Sequence, residues 1–262
     1  MIKKLGSLAV LGVTVALLLA GCSAGQTPGD SPSGSTPGLS GSITVLAAAS
    51  LTDTFNTIGA DFEKANPGTK ITFSYGSSAT LASHITNGAP ADVFASASPA
   101  TMDTVDKAGL AVGRVDFVSN TLEIAVPKGN PGHITGLKDF ADPAKKIVVC
   151  DKTVPCGAAA VKVFAAAGIT PQPDSYATDV KAALTQVSTG EADAALVYKT
   201  DVKAAGDQVE GINFPEAADA VNIYPICTVK GSANEALATA FAAYVRSDAG
   251  MKVLTDAGFD KP

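Results

Sequence analysis

From Ile43 onward the chain alternates short apolar runs with amphipathic stretches, and that alternation admits few folds. Residues 43–47 read as a strand, and 51–65 as a helix with Leu51, Phe55, Ile58, Phe62 and Ala65 on one face. Strands are expected at 71–75, 92–95, 121–127, 147–150, 194–198 and 224–230. Helices are expected at 80–87, 100–108, 158–167, 180–189 and within 234–257. Repeated strand and helix units imply an α/β fold with mainly parallel strands, whose ligands bind beyond the carboxyl ends of the strands. No internal sequence repeat accompanies the alternation.

There is enough apolar material to build such a core. Of 262 residues 46% are hydrophobic and 17% charged, below the roughly 25% charge of an average globular chain, so wholesale disorder is excluded. With 25 acidic and 19 basic side chains the formal charge is −6, which argues against nucleic acid as a partner.

The first residues point to export. Lys3 and Lys4 precede an apolar run from Leu8 to Leu19, and Leu19-Ala20-Gly21-Cys22 closes it with small residues before a cysteine. The run is short for a membrane span, which needs about 20 residues. The pattern resembles a bacterial lipoprotein signal. That resemblance implies removal of 1–21 and lipidation of Cys22, leaving the protein exported and lipid-anchored to the outer face of the cell membrane. Residues 22–41 are nearly all Ser, Gly, Pro and Thr and read as a flexible linker, with Leu39 its one anchoring apolar residue.

Small hydroxyl residues gather where the folded body turns from strand to helix. Ser50 follows the first strand, Gly76-Ser77-Ser78 the second, Val154-Pro155-Cys156-Gly157 the strand at 147–150, and Tyr176 to Val180 opens a fourth helix. Helix N-termini carry unpaired amide donors and a partial positive charge, so four of them facing one cleft would hold an anion. Taken singly, each Ser or Thr reads as an N-cap.

Three segments carry a family resemblance: Ile43 to Thr52, Gly76 to Ala82, and Gly88-Ala89-Pro90-Ala91-Asp92-Val93-Phe94-Ala95-Ser96-Ala97. With Val154 to Gly157, Asp179 to Leu184, Ala195 to Tyr198, Phe214-Pro215 and Gly258-Phe259, they resemble the periplasmic molybdate-binding proteins, the solute receptors of molybdate ABC importers. The resemblance implies a type II periplasmic-binding-protein fold. Lobe 1 would be 42–119 with 224–262, lobe 2 would be 120–223, and the chain would cross between them twice. It also implies an oxyanion held by Ser50 and Ser78 through hydroxyl and amide, by the amides of Cys156 and Val180, and by the Tyr198 hydroxyl. The family usually has alanine where Cys156 stands, a change that a backbone contact tolerates. The expected protein is a monomer that is not an enzyme, needs no cofactor, binds molybdate or tungstate, and meets ABC permease subunits.

The chemistry fits a donor-only site. Molybdate is a bare dianion at neutral pH, whereas phosphate near pH 7 keeps a proton and loses about 1 to 3 kcal/mol if that proton is buried without an acceptor. Sulfate, also a bare dianion, is the alternative ligand, and size alone separates it. A secreted enzyme is the weaker alternative, because the folded body from Ile43 onward has no Gly-x-Ser-x-Gly elbow, and the chain has no Gly-Lys phosphate loop and no His-Glu-x-x-His. His84, His133, Asp92 and Tyr75 read as ordinary surface, turn or strand residues. With Cys22 lipidated, three thiols remain that can pair in three ways. Cys150 with Cys156 is the expected disulfide, since the two flank the Val154-Pro155 turn, and its small ring contributes roughly 2.4 kcal/mol on the loop-entropy model.

Overall fold

The structure, a computed structural model, describes residues 38–262. The signal at 1–21, Cys22 and most of the 22–41 linker lie outside the described residues. The folded body reaches into the end of that linker: strand β1 (Gly41–Ala48) begins at Gly41, Leu39 packs on a buried core, and Asn234 Nδ2 donates to Ser40 O at 2.8 Å.

The chain first builds most of one lobe: β1, a 3-10 turn at Ala49–Leu51, α1 (Thr52–Ala65), β2 (Thr69–Gly76), α2 (Ser78–Thr86), β3 (Val93–Ala95), α3 (Pro99–Lys107) and β4 (Ala111–Asn120). It crosses to a second lobe of β5 (Leu122–Pro127), β6 (Ile147–Cys150), α4 (Pro155–Ala167), β7 (Ser175–Ala177), α5 (Val180–Ser188), β8 (Ala194–Tyr198), α6 (Lys199–Ala205) and β9 (Val209–Ile212). It then returns through β10 (Asn222–Val229), α7 (Glu235–Val245) and α8 (Asp248–Asp256) to finish the first.

Each lobe is one five-stranded sheet, ordered β2-β1-β3-β10-β4 and β7-β6-β8-β5-β9. As expected of mainly parallel strands, four of the five strands in each sheet run in one direction, and one runs against them. In each sheet β1 with β2 and β3, or β6 with β7 and β8, pair in parallel, while β10 and β5 pair antiparallel with both neighbours. The antiparallel strand in each sheet is the one entered straight after a crossing, so it runs against the βαβ units it joins. The two sheets thus repeat one topology without a repeated sequence.

Burial follows the helical period. In α1 the apolar stripe puts Phe55, Ile58 and Phe62 at 2% exposure or less, and Phe62 meets Phe241 of α7 edge to face at 5.4 Å. Lobe 2 packs Ile147, Val148 and Leu196 of its central strands against Val163 and Phe164 of α4 and Phe140. At the crossing, Asn120 and Asn222 are register partners. The buried Asn120 donates from Nδ2 to Thr200 Oγ1 at 2.8 Å, and Asn222 from Nδ2 to Ala97 O at 2.8 Å, so both crossing strands are pinned by satisfied polar groups.

Candidate functional site

The carboxyl ends of the parallel strands of both sheets open on one pocket. Ala48, Ala49 and Ser50 reach it from β1, Gly76, Ser77 and Ser78 from β2, and Ala97 from β3; lobe 2 supplies Val154, Pro155 and Cys156 after β6, Asp179 and Val180 after β7, and Tyr198 at the end of β8. Its cavity volume is about 20 Å³, far below the roughly 300 to 1,000 Å³ of sites for organic ligands, so it suits a small ion. All five residues that the resemblance assigns to the ligand line this one pocket. The lobes are closed over it, with Ala49 and Ala79 of lobe 1 packing against the core of lobe 2.

Each wall presents donors for a local reason. Ser78 is the first residue of α2, and its Oγ accepts from Ala97 N at 2.9 Å, which leaves its own proton to point elsewhere. Pro155 occupies the first position of α4 and has no N–H, so the first amide that helix can offer is that of Cys156. Asp179 caps α5 by accepting at Oδ1 from Ala182 N at 3.0 Å, past the amide of Val180. Ser50 sits in the 3-10 turn ahead of α1, and its Oγ shares a 3.0 Å hydrogen bond with Tyr224 OH. Cys150 and Cys156 are joined by a disulfide, which ties the start of α4 to the end of β6, while Cys227 is free and buried. Burial pushes the Cys227 thiol up to about 12, so it stays protonated and unreactive.

Three buried polar side-chain atoms among the described residues have no hydrogen-bond partner, and two of them, Ser77 Oγ and Tyr198 OH, belong to this pocket. Tyr198 is 1% exposed, and burial, then Tyr224 and Asp201 nearby, hold its hydroxyl well above the ordinary tyrosine range, so it is a donor at any physiological pH. Buried donors without acceptors cost about 1 to 3 kcal/mol each, which a bound anion would recover. Ser77 was missed in the sequence. It holds the N-cap position of α2 yet makes no capping bond, so the cap reading that explains most such serines fails here. Asp179 was missed too, and it brings one carboxylate to a wall read as donors only.

The third unpartnered atom is Oδ1 of Asp201, in the first turn of α6. Its Oδ2 accepts from Tyr198 N at 3.2 Å, and Lys181 Nζ lies 3.7 Å from Oδ1. Burial raises this carboxyl to about 6, against the opposing pull of Lys181 and the Tyr198 amide and with a smaller push from Asp53. A raised carboxyl holds its proton in the folded state where the unfolded chain has lost it. Stability should therefore fall as pH rises from about 4 to about 6, by about 3 kcal/mol. Glu63 and Asp139 have lowered values and act in the opposite sense below about 4, which places the optimum near pH 4. Urea unfolding at about pH 4 and pH 8 measures this, and Asp201→Asn should flatten the difference. Equal stability of the wild type at both values would overturn the assignment.

The bland readings of the other residues match the geometry. His84 and His133 are exposed, Tyr75 donates to Asn56 Oδ1 at 2.9 Å, and Asp92 accepts from Thr44 N at 2.6 Å. Among the described residues no cluster of three or more His, Cys, Asp or Glu could hold a metal ion.

Two closed α/β lobes with a small pocket of helix starts and hydroxyls between them define a receptor for a small solute. The family model of bacterial extracellular solute-binding proteins matches residues 43–260, and the chain belongs to that family. It is 43% identical over 254 residues to the molybdate-binding protein ModA of Mycobacterium tuberculosis H37Rv, covering 96% of this chain and 97% of that one. The structure matches the periplasmic molybdate-binding protein of Azotobacter vinelandii with a TM-score of 0.74 at 23% identity, over 84% of this chain and 99% of that one. It matches the sulfate-binding protein SubI of M. tuberculosis H37Rv with a TM-score of 0.75 at 19% identity, over 84% and 86% of the two chains. The fold is the type II periplasmic-binding-protein fold.

Proposed function

We propose that this protein binds molybdate, and also tungstate, in the pocket between its lobes and delivers it to the permease subunits of an ABC importer. The two unpartnered hydroxyls of Ser77 and Tyr198 in a pocket ringed by helix starts carry this reading. In it, Ser50 and Ser78 hold the oxyanion through hydroxyl and amide, Cys156 and Val180 through their amides, and Tyr198 through its hydroxyl. The protein acts as a monomeric, non-enzymatic receptor and needs no cofactor. No cationic residue lines the pocket, so the dianion is held by neutral dipoles in a water-poor site, where such bonds are strong.

A thermal-shift panel of molybdate, tungstate, sulfate and phosphate tests the reading. A ligand at a hundred times its dissociation constant stabilises the fold by about 2.7 kcal/mol, and molybdate and tungstate should do so at the lowest concentrations. Sulfate offers the same bare dianion to the same donors and is the competing ligand; a sulfate shift at lower concentration than molybdate would replace the proposal. Phosphate brings a proton that needs an acceptor, and Asp179, whose Oδ1 accepts from Ala182 N, is the one carboxylate on the wall that could take it, so a phosphate shift rivalling that of molybdate would also replace the proposal.

The proposal extends to the anchor. Cys22 would carry lipid, and the 22–41 segment would hold the receptor near the membrane. Cys22→Ala is expected to retain its signal and to lose acylation. Mass spectrometry of the native N-terminus checks this, and an unmodified N-terminus on a water-soluble native protein would refute it.

A further inference from the structure

On one side of the cleft the lobes are joined by lysines that all come from lobe 2. Lys181, in the first turn of α5, donates to Asp53 Oδ2 of α1 at 2.9 Å; Lys199, opening α6, pairs with Asp260; Lys203 donates to Asp256 O of α8 at 2.7 Å. These contacts are not equivalent. The Lys199 amide donates to Thr121 O and Asp260 is bridged to Ser119, so both partners sit on the crossing segment, where rotation of one lobe against the other moves atoms least. Lys181 and Asp53 instead adjoin the pocket, one residue from Val180 and three from Ser50, where opening the cleft must part them.

Lys181 also has a partner on its own lobe. The Asp201 side chain is fully buried, lies 3.7 Å from the ammonium, and is itself held by the amide of Tyr198. Opening the cleft leaves that contact intact, so the ammonium is kept in place and Asp53 is the partner gained on closure. Asp53 is the more exposed member, at 63% against 31% for Lys181, as expected of a contact that must form and break in water.

We propose that Lys181 is a positioning residue for ligand retention, a latch from lobe 2 that closes on Asp53 of lobe 1 and slows escape of the bound anion. The proposal rests on the pocket being the ligand site and not on which oxyanion fills it. It concerns departure more than arrival, because the pair exists only after closure. An exposed ion pair is worth a few-fold, so Asp53→Asn should speed release roughly two- to five-fold, and Asp53→Lys, which sets two ammonium groups together, roughly ten-fold. Association should be unchanged or modestly faster, since each variant removes a negative charge beside the pocket, and the ligand-free unfolding midpoint should stay near wild type for Asp53→Asn and fall slightly for Asp53→Lys, which places a cation in the first turn of α1. Lys181→Met should also speed release, but it lowers ligand-free stability because Asp201 loses its counter-charge.

The test is stopped-flow release of molybdate, or of whichever oxyanion of the panel stabilises the wild type, from the wild type, Asp53→Asn and Asp53→Lys. Faster release in the order given supports the latch. Release from both variants within 1.5-fold of wild type overturns it. If no oxyanion stabilises the wild type, the functional reading fails and the latch is judged on the ligand-free protein by spin-label distances between the lobes. Asp53→Lys must then shift the distribution toward the open form, and an unchanged distribution overturns the latch.

Discussion

Replacing both Ser50 and Ser78 with alanine is expected to weaken molybdate binding by about two to four powers of ten, because hydrogen bonds to a charged group contribute about 1.5 to 3 kcal/mol each. The two hydroxyls are 7% and 1% exposed, so water cannot replace them. Each is already aligned by the protein: Ser78 Oγ accepts from Ala97 N, and Ser50 Oγ is hydrogen-bonded to Tyr224 OH. Their removal therefore deletes preorganised donors and strands the Ala97 amide and the Tyr224 hydroxyl. Calorimetry reads the affinity and thermal unfolding of the ligand-free protein reads the second cost. A double variant that binds within three-fold of wild type would sink the site assignment.

Gly157→Ala should be nearly as damaging without touching a ligand-binding group. A Cβ on Gly157 would lie 1.9 Å from Asp151 O and 2.6 Å from Cys150 O, and both are backbone atoms of the loop that the Cys150–Cys156 disulfide ties down. The loop cannot retreat while the disulfide holds, so the start of α4 must shift and carry the Cys156 amide with it. A stability loss of about 3 kcal/mol or more is expected, at the upper end of overpacking effects, together with weaker oxyanion binding. Denaturant unfolding and calorimetry on the oxidised protein would show both. Stability within 0.5 kcal/mol of wild type would mean the turn is looser than its geometry.

What could be read from the sequence followed burial. The interior strands β1, β3, β5, β6, β8 and β10 are runs of largely buried apolar residues, and all six stood out. The strands that escaped were β4, β7 and β9, each at the edge of its sheet. Edge strands face water on one side, and β4 spends Gly113, Arg114 and Asp116 there, which erases the pattern that marks a strand. The site divides in the same way. Ser50, Ser78, Cys156, Val180 and Tyr198 occupy local motifs and could be placed by resemblance. Asp53 with Lys181 and Ser50 with Tyr224 are 128 and 174 residues apart in sequence, and no local pattern announces such pairs. Asp201 had no sequence signal for the same reason: its burial comes from tertiary packing alone.

The place of β10 bears on the order in which the lobes can be completed. It is the last strand of the chain, yet it lies inside its sheet, between β3 and β4. A nascent chain that has emerged as far as Ala220 holds every strand of lobe 2, whereas lobe 1 has β3 and β4 separated by an unfilled lane. Lobe 1 must therefore wait for contacts more than a hundred residues apart in sequence, which form slowly. For a member of an extracellular family, that delay favours passage of an unfolded chain through a translocation pore before the first-made half can lock. Pulse proteolysis of a chain ending at Ala220 should find residues 122–212 protected and 41–120 cut; equal protection of both would show that β10 is dispensable for closing its own sheet.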